Sequence, residues 1–321
     1  MTASAGAPTI GDSRGPAAIH FTIMARLLLL GMSALDAIYR VPAIPTTPMK
    51  VLATSFSECG GGMAANASVA VARLGGEAHY WGRLGDDALG DRILADLARE
   101  GVDVGAVRRV RDCVSPSAAI LIADDGERLL CTYNDPRLGA DPSWLPLARV
   151  AGFDAVMVDV RWPEGAAAVL DAARDAGKLA VFDGDVGPVD ALLDLARRAT
   201  HVAFSELGLA RATGTADPGE GLRRMAPLTP AWIGVTLGAD GFLWRDGDRE
   251  RRVAAPSVKA VDTLGAGDVW HGAFTLALAE GMDIDAAARF ANAAAALKCT
   301  RFGGRSGAPR RDEVVAALAA G

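Results

Sequence analysis

The stretch Val261-Asp262-Thr263-Leu264-Gly265-Ala266-Gly267-Asp268, which continues into Val269-Trp270-His271-Gly272-Ala273, decides the fold of this chain. An apolar, β-branched lead-in gives way to two glycines and an alanine, and an apolar helical pattern follows the aspartate. Small residues let the backbone approach a ligand closely, and the free N–H groups of a first helical turn attract anions. Asp268 would lie beside such an anion and could accept the proton of an attacking hydroxyl, an arrangement that suits phosphoryl transfer.

Length and composition fit one large α/β domain or one domain that carries a small appendage. The chain has 321 residues, of which 50% are hydrophobic and 22% charged, so global disorder is excluded. A formal net charge of -6 argues against nucleic acid or an anionic membrane as a partner. The four cysteines are scattered without a C-x-x-C pair, and we expect reduced thiols in a cytoplasmic protein. Residues 1–24 are rich in Ala, Gly, Ser and Pro, so we expect a disordered extension before a domain over residues 25–321.

Alternating strand and helix patterns predict a parallel sheet with two insertions. Arg26 to Gly31 is a continuous apolar run ending in glycine, which is typical of a buried parallel strand. Segments at about residues 38–58 and 118–133 read instead as hairpins, the second turning at Asp124-Asp125-Gly126. We predict that the two insertions form a small sheet that stands off the main domain as a lid.

Acidic residues follow two of the predicted strands. Asp36 comes soon after the first strand, at the edge where open α/β sheets bind ligands. Its position alone fits a turn or capping residue equally well. Asp183 and Asp185 follow a strand predicted over Leu179–Phe182 and are candidate ligands of Mg²⁺, which prefers oxygen; a solvated turn is the alternative.

A second glycine-rich segment, Gly60-Gly61-Gly62-Met63-Ala64-Ala65-Asn66, opens a helix. Read as G-x-G-x-x-A it matches a dinucleotide fingerprint, but it lies far from the first strand and Glu77 follows too soon to be the ribose-binding acid. The alternative is close approach of a polar ligand, with Asn66 facing it. The chain has no P-loop or G-x-S-x-G motif, and its four histidines are too dispersed for a zinc site.

These residues resemble the ribokinase/PfkB family of carbohydrate kinases over about residues 27–318. Asp262 to Asp268 is similar to the D-T-x-G-A-G-D signature, and the segment from Gly61 to Gly75 is similar to a second family segment. The resemblance implies a ribokinase-like three-layer α/β/α sandwich with a small β-sheet lid, and ATP-dependent phosphorylation of a primary hydroxyl of a sugar. It also implies that Asp268 is the catalytic base and that Gly265, Ala266 and Gly267 form the anion hole.

The resemblance implies further binding sites. The sugar hydroxyls would be held by Asp36, Gly61, Gly62 and Asn66. The residues around ATP would be Ser205, Thr236, Gly238, Gly241, Asn292 and Gly304. A monovalent cation such as K⁺ would bind near Asp262 and the loop at Ser306. The family's N-x-x-E segment reads Ser205-Glu206-Leu207-Gly208, so Glu206, with Asp183 or Asp185, is the candidate for Mg²⁺.

Several segments, including Asp159-Val160-Arg161-Trp162 and Ala296 to Arg301, are more similar to the sulfofructose kinase branch. The resemblance implies an anionic sugar such as 6-deoxy-6-sulfofructose, held by Lys50, Thr132 and Arg161. A guanidinium suits such an anion, whereas a solvated charge is the alternative for Lys50. Met63 stands where ribokinase has a lysine, which argues against ribose.

Other substrates and one other class of function stay open at this point. The other substrates are fructose 6-phosphate, 2-keto-3-deoxygluconate, fructose and a nucleoside. The other class is a sugar-binding regulator without turnover. Because lid sheets of this kind often pair through their exposed faces, we also expect a homodimer formed through the lid.

Overall fold

The computed structural model describes residues 24–125 and 127–320. Residues 1–23 of the predicted extension lie outside the described residues. Within the described part, strands and helices alternate along most of the chain. The strands are β1 (Arg26–Leu30), β2 (Ala34–Val41), β3 (Ser55–Gly61), β4 (Glu77–Gly85), β5 (Asp103–Val110), β6 (Ser117–Ala123), β7 (Arg128–Tyr133), β8 (Ala155–Asp159), β9 (Leu179–Gly184), β10 (His201–Ser205), β11 (Trp232–Thr236), β12 (Phe242–Asp246) and β13 (Arg249–Val253). The α-helices are α1 (Met63–Arg73), α2 (Ala88–Arg99), α3 (Pro163–Asp175), α4 (Val189–Arg198), α5 (Glu206–Thr213), α6 (Pro218–Met225), α7 (Ala266–Ala279), α8 (Ile284–Cys299) and α9 (Arg311–Ala320).

The large sheet has the strand order β13-β12-β11-β10-β9-β8-β1-β4-β5. Its strands from β11 to β5 in that order run parallel, and β12 and β13 add antiparallel at one edge. Central strands such as β1 and β8 are almost wholly apolar because helices cover both of their faces. The carboxyl ends of the parallel strands therefore meet at one edge, where ligands of such sheets bind.

Two apolar cores lie on opposite faces of this sheet. One contains α1, α7 and α8 and the aromatic rings of Phe242, Trp270 and Phe274. The other contains α3, α4 and α6, which pack on Phe182 and Phe204. The predicted three-layer α/β/α sandwich is confirmed. No helix within the described residues is long and apolar enough to cross a membrane.

The second sheet has the order β3-β2-β6-β7 and confirms the predicted lid sheet. Two hairpins, β2–β3 and β6–β7, are joined by parallel pairing of β2 with β6. Its inner face carries the buried residues Ile38, Ala118 and Ile120. Its outer face carries exposed aromatic and aliphatic side chains.

The structure corrects three local predictions. The first lid segment, predicted at about residues 38–58, has its strands at Ala34–Val41 and Ser55–Gly61, so β3 continues through Gly60 and Gly61. Asp36 lies inside β2 and not in a turn, because only three residues separate the end of β1 from the start of β2. Asp183 lies inside β9 and is almost fully buried, so the solvated-turn alternative is wrong for it. The sequence patterns did not predict these strand positions, because glycine and aspartate are usually turn residues. Here they pack against the lid and the helices.

Candidate active site

The turn Gly265–Asp268 is built as the start of α7. Gly265 is the residue before the helix and has φ of 75°, in the left-handed region that glycine adopts without strain. Ala266 N–H donates to the Thr263 carbonyl at 3.2 Å. The next N–H groups, those of Gly267 and Asp268, belong to the first helical turn and have no carbonyl partner within the helix. This turn is therefore suited to hold an anion beside Asp268.

The Asp268 carboxyl is tuned for proton transfer near neutral pH. Burial raises its pKa to about 7; the Asn66 amide lowers it, and the carboxylates of Asp185, Asp159 and Asp36 raise it. Asn66 Nδ2 donates to Asp268 Oδ2 at 2.6 Å. A general base is most effective when its pKa lies close to the working pH. Asp268 meets that condition in this environment.

The residues predicted to bind sugar hydroxyls come together across the join between the lid and α1. A Cβ on Gly61 would lie 2.3 Å from Asp36 Oδ2, so only glycine leaves room for that carboxyl. Gly62 has φ of 89° and precedes α1, whose first turn carries Asn66. The Asn66 Oδ1 atom is buried and has no partner in the described part of the chain. An unpaired buried acceptor of this kind suits a ligand hydroxyl.

The charge of an arginine that no sequence pattern singled out acts on Asp36. Burial raises the pKa of Asp36 to about 6, and the charge of Arg305 opposes that rise. Arg305 is 2% exposed, pairs with Asp96 and lies so close to Gly60 that a Cβ there would overlap its guanidinium. The only signal in the sequence was a lone arginine inside a glycine-rich loop, a pattern that more often marks a solvated side chain.

Asp159 is the second residue whose role emerges only from the structure. Its side chain is fully buried at the end of β8. Oδ2 accepts from Met32 N at 2.8 Å and Ala64 N at 3.1 Å, and Oδ1 accepts from Arg161 N at 2.8 Å. One carboxyl thus joins the segment after β1, the start of α1 and the turn after β8.

Four of the six residues predicted around ATP line one cavity of about 490 Å³ beside the start of α7. They are Thr236, Gly238, Gly241 and Asn292, and Gly267 and Trp270 line the same cavity. Asn292 orients that wall, since its Oδ1 accepts from Trp270 Nε1 at 2.8 Å. Ser205 and Gly304 lie outside this lining: Ser205 Oγ donates to Asp185 Oδ1 at 2.9 Å, and Gly304 N donates to Asp262.

Carboxylates lie at the end of β9 and the start of α5, and those at the end of β9 are close enough to Asp268 for their charges to interact. Asp183 is buried, and burial first, then the charges of Asp268 and Asp185, raise its pKa well above the usual range. Asp185 accepts from Ser205, and Glu206 begins α5 with an exposed side chain. No group of three or more metal-binding side chains is assembled within the described ranges. Nevertheless, these oxygen donors fit a nucleotide-bound Mg²⁺, which needs only one or two carboxylates besides phosphates and water.

The three residues predicted around the sugar's anion lie on different parts of the fold. Arg161 donates to Asp185 Oδ2 at 3.1 Å and to the Val186 carbonyl at 3.0 Å, at the carboxyl edge of the large sheet. Thr132 is in register with Ala118 and, through it, with Asp36, so it shares the inner face of the lid. Lys50 is exposed in the segment between β2 and β3. The part of each in substrate binding stays a prediction.

The predicted cation site at Asp262 already contains a positive charge. Lys298 is 0% exposed, and its Nζ donates to the Asp262 backbone carbonyl at 2.7 Å and lies 3.3 Å from Asp262 Oδ2. The same carboxylate accepts from Leu264 N, Gly303 N and Gly304 N. Because an ammonium is bound to these oxygen atoms, the arrangement does not fit a second cation such as K⁺ at the same place.

Comparison with known proteins identifies the family. The model of the pfkB family carbohydrate kinases matches residues 24–311. The chain belongs to the pfkB family of carbohydrate kinases. The predicted enzyme class, a phosphotransferase acting on an alcohol group, is confirmed with it.

Individual relatives cover almost the whole chain. A ribokinase of Bacillus subtilis is 29% identical over 91% of this chain and 98% of its own length. An ATP-dependent ribose-1-phosphate kinase of Halopiger xanaduensis is 30% identical over 92% of this chain and 98% of its own length. A crystal structure from Agrobacterium tumefaciens, described provisionally as a ribokinase, superposes with a TM-score of 0.88 at 43% identity, covering 92% of this chain and 98% of that one.

These comparisons show the family and the fold of the chain, but they do not show its branch within the family. The similarity to sulfofructose kinases that Arg161 and its neighbours indicate stays a prediction. So do the roles of individual site residues, which rest on the geometry described above.

Proposed function

We propose that this pfkB family kinase transfers the γ-phosphoryl group of ATP to a primary hydroxyl of a sugar. The observation that carries the proposal is the pairing of Asp268, a carboxyl with its pKa raised to about 7, with the glycine-rich first turn of α7. Asp268 accepts the hydroxyl proton as the oxygen attacks phosphorus in line, and the turn's N–H groups stabilise the charge on the phosphoryl oxygens. ATP occupies the 490 Å³ cavity beside this turn.

The lid and α1 orient the acceptor sugar. Asp36 and the unpaired Asn66 Oδ1 accept hydrogen bonds from sugar hydroxyls, while the Asn66 amide holds Asp268 in place. Asp185 and Glu206 would hold Mg²⁺, which when bound neutralises charge on the nucleotide phosphates. Closure of the lid excludes water and so suppresses hydrolysis of ATP. The four free cysteines are consistent with a cytoplasmic enzyme.

The pH dependence of turnover tests this proposal. Only the deprotonated Asp268 carboxylate accepts a proton, so kcat/KM should rise with pH and level off above a pKa of about 7. The experiment measures ATP-dependent phosphorylation of a panel of sugars between pH 5 and 9. Tight sugar binding without turnover on any of them would instead support the regulator without catalysis.

We further propose that the sugar carries an anion, with 6-deoxy-6-sulfofructose as the leading candidate. Arg161 lies at the carboxyl edge of the sheet with a side chain 39% exposed, and its two described hydrogen bonds use two of its five N–H donors. Thr132 shares the inner lid face with Asp36. The ribose-1-phosphate kinase among the relatives supports an anionic sugar within this family.

The Arg161→Ala substitution tests whether Arg161 binds the anionic group of the acceptor sugar. Loss of a charge-assisted hydrogen bond should raise KM for 6-deoxy-6-sulfofructose about 10- to 100-fold, while KM for fructose changes by less than about threefold. Arg174→Ala, on the outer side of α3, serves as the matched control. Equal changes for both sugars would contradict a role of Arg161 in anion binding.

We also propose a homodimer formed through the outer face of the lid. Phe56, Tyr39 and Leu129 are 56%, 37% and 47% exposed, and they lie in one cross-strand row of that face, with Leu121 of β6 between Tyr39 and Leu129. Exposed apolar patches of this kind mark interaction surfaces.

Leu129→Glu should convert the dimer to a monomer in sedimentation velocity, because a charge would be buried in the interface. Leu228→Glu, an exposed position on the main domain, should leave the mass unchanged. A monomeric wild type would contradict the proposal.

A further inference from the structure

A buried lysine lies where the anion-binding turn, Gly265–Asp268, meets the end of α8. Lys298 lies in the last turn of α8 and is 0% exposed. Its Nζ donates to the Asp262 carbonyl at 2.7 Å and lies 3.3 Å from Asp262 Oδ2. Lysine is among the residues least often fully buried, and it is buried only when its charge is paired.

Asp262 is the point at which three segments meet. Its Oδ1 accepts from Leu264 N at 2.8 Å, in the turn that leads to the anion-binding residues. Its Oδ2 accepts from Gly303 N at 3.0 Å and Gly304 N at 3.1 Å, in the loop after α8. The Cys299 carbonyl accepts from Asp262 N at 3.1 Å. Shifting this carboxylate would therefore move the backbone that begins α7.

The electrostatics of this junction require a cation. A carboxylate, the Asp262 carbonyl and the negative end of the α8 dipole converge there. Oxygen atoms alone would repel one another in a buried setting, and a monovalent cation or a donor with positive charge offsets that repulsion. The Lys298 ammonium supplies the charge from within the chain.

We propose that Lys298 is a built-in cation that takes the place of a dissociable K⁺ and holds the anion-binding turn in its active geometry. It is a positioning residue: it touches Asp262 and acts on Gly265–Asp268 through the Leu264 turn. The consequence is an enzyme whose turnover and nucleotide binding do not depend on added monovalent cations. This inference rests on the proposed kinase function for its activity readouts, but not for its binding and stability readouts.

The first test compares wild-type protein in KCl, NaCl and tetramethylammonium chloride at equal ionic strength. ADP affinity by calorimetry and kcat should agree within about twofold in all three salts, and the melting temperature should be the same in all three. Activation by K⁺ of more than about fivefold, or a K⁺-dependent gain in ADP affinity of that size, would overturn the proposal.

The second test uses Lys298→Ala, which removes the ammonium and leaves space for a small cation. In tetramethylammonium chloride it should bind ADP at least about tenfold more weakly than wild type, since a buried charge has lost its partner. KCl or ammonium chloride should restore much of that affinity and raise the melting temperature. Leu195→Ala, a cavity in the opposite core, should lower the melting temperature without responding to K⁺. Two results would contradict the role of Lys298. One is unchanged ADP affinity in folded Lys298→Ala, and the other is a weakened affinity that neither KCl nor ammonium chloride restores.

Lys298→Met keeps the side-chain length and fills the space that a small cation would need. It should therefore bind ADP weakly, and KCl or ammonium chloride should not restore the affinity. If Lys298→Ala does not fold in tetramethylammonium chloride, refolding in KCl supports the proposal and failure in both salts contradicts it. These binding and melting experiments need no acceptor sugar. A lack of turnover with every sugar would therefore count against the proposed function and leave the cation proposal to its own result.

Discussion

Replacing Asp268 by asparagine is expected to lower kcat by about 10³-fold while ADP affinity changes by less than about threefold. The carboxylate is the proton acceptor, and an amide of the same shape cannot take that role. Asn66 donates to Asp268 at 2.6 Å, and the asparagine carbonyl can still accept that bond, so the packing should survive. Steady-state kinetics and calorimetry with ADP measure the two quantities.

Asp190→Asn is the matched control for this substitution. Asp190 also lies in the first turn of a helix, but it is exposed, and its helix α4 packs on the opposite face of the large sheet from α7. The Asp190→Asn substitution should leave kcat within about twofold, as expected for a change at an exposed position. A comparable loss of kcat in Asp190→Asn, or near-normal turnover in Asp268→Asn, would contradict Asp268 as the base.

Asp159→Ala is expected to reduce the free energy of unfolding by about 3–5 kcal/mol, the largest stability effect we predict. The substitution leaves the N–H groups of Met32, Ala64 and Arg161 without their buried acceptor. It should also weaken sugar binding, because α1 and the segment between β1 and the first lid strand would lose their common anchor. Chemical unfolding and sugar titration measure these effects.

Asp217→Ala measures how much an ordinary capping aspartate contributes to the free energy of unfolding. Asp217 accepts from Glu220 N at the exposed start of α6, and its loss should reduce the free energy of unfolding by about 1 kcal/mol. The loss of unfolding free energy in Asp159→Asn should lie between the losses in Asp159→Ala and Asp217→Ala, because one side-chain oxygen remains to accept hydrogen bonds. If Asp159→Ala lost no more stability than Asp217→Ala, the buried carboxyl would not be the anchor described here.

Local patterns predicted much of the fold. The first strand was predicted at Arg26 to Gly31 and lies at Arg26–Leu30, since a continuous apolar run ending in glycine is typical of a buried parallel strand. The paired insertions predicted the lid sheet. Strands β5 and β13 lie at the two edges of the large sheet, and both are polar or half-exposed, so the chain offered no apolar run that marks them as strands.

The sequence by itself determined the anion-binding turn, because two glycines, an alanine and an aspartate before an apolar helix specify that geometry within eight residues. It could not determine the charge state of Asp268 or the partner of Asp262. Asn66 is 202 residues from Asp268, and Lys298 is 36 residues from Asp262. Burial and the proximity of charges arise only when distant segments pack together. The chemistry of the turn is therefore local, whereas its pKa and its internal cation are decided by the tertiary structure.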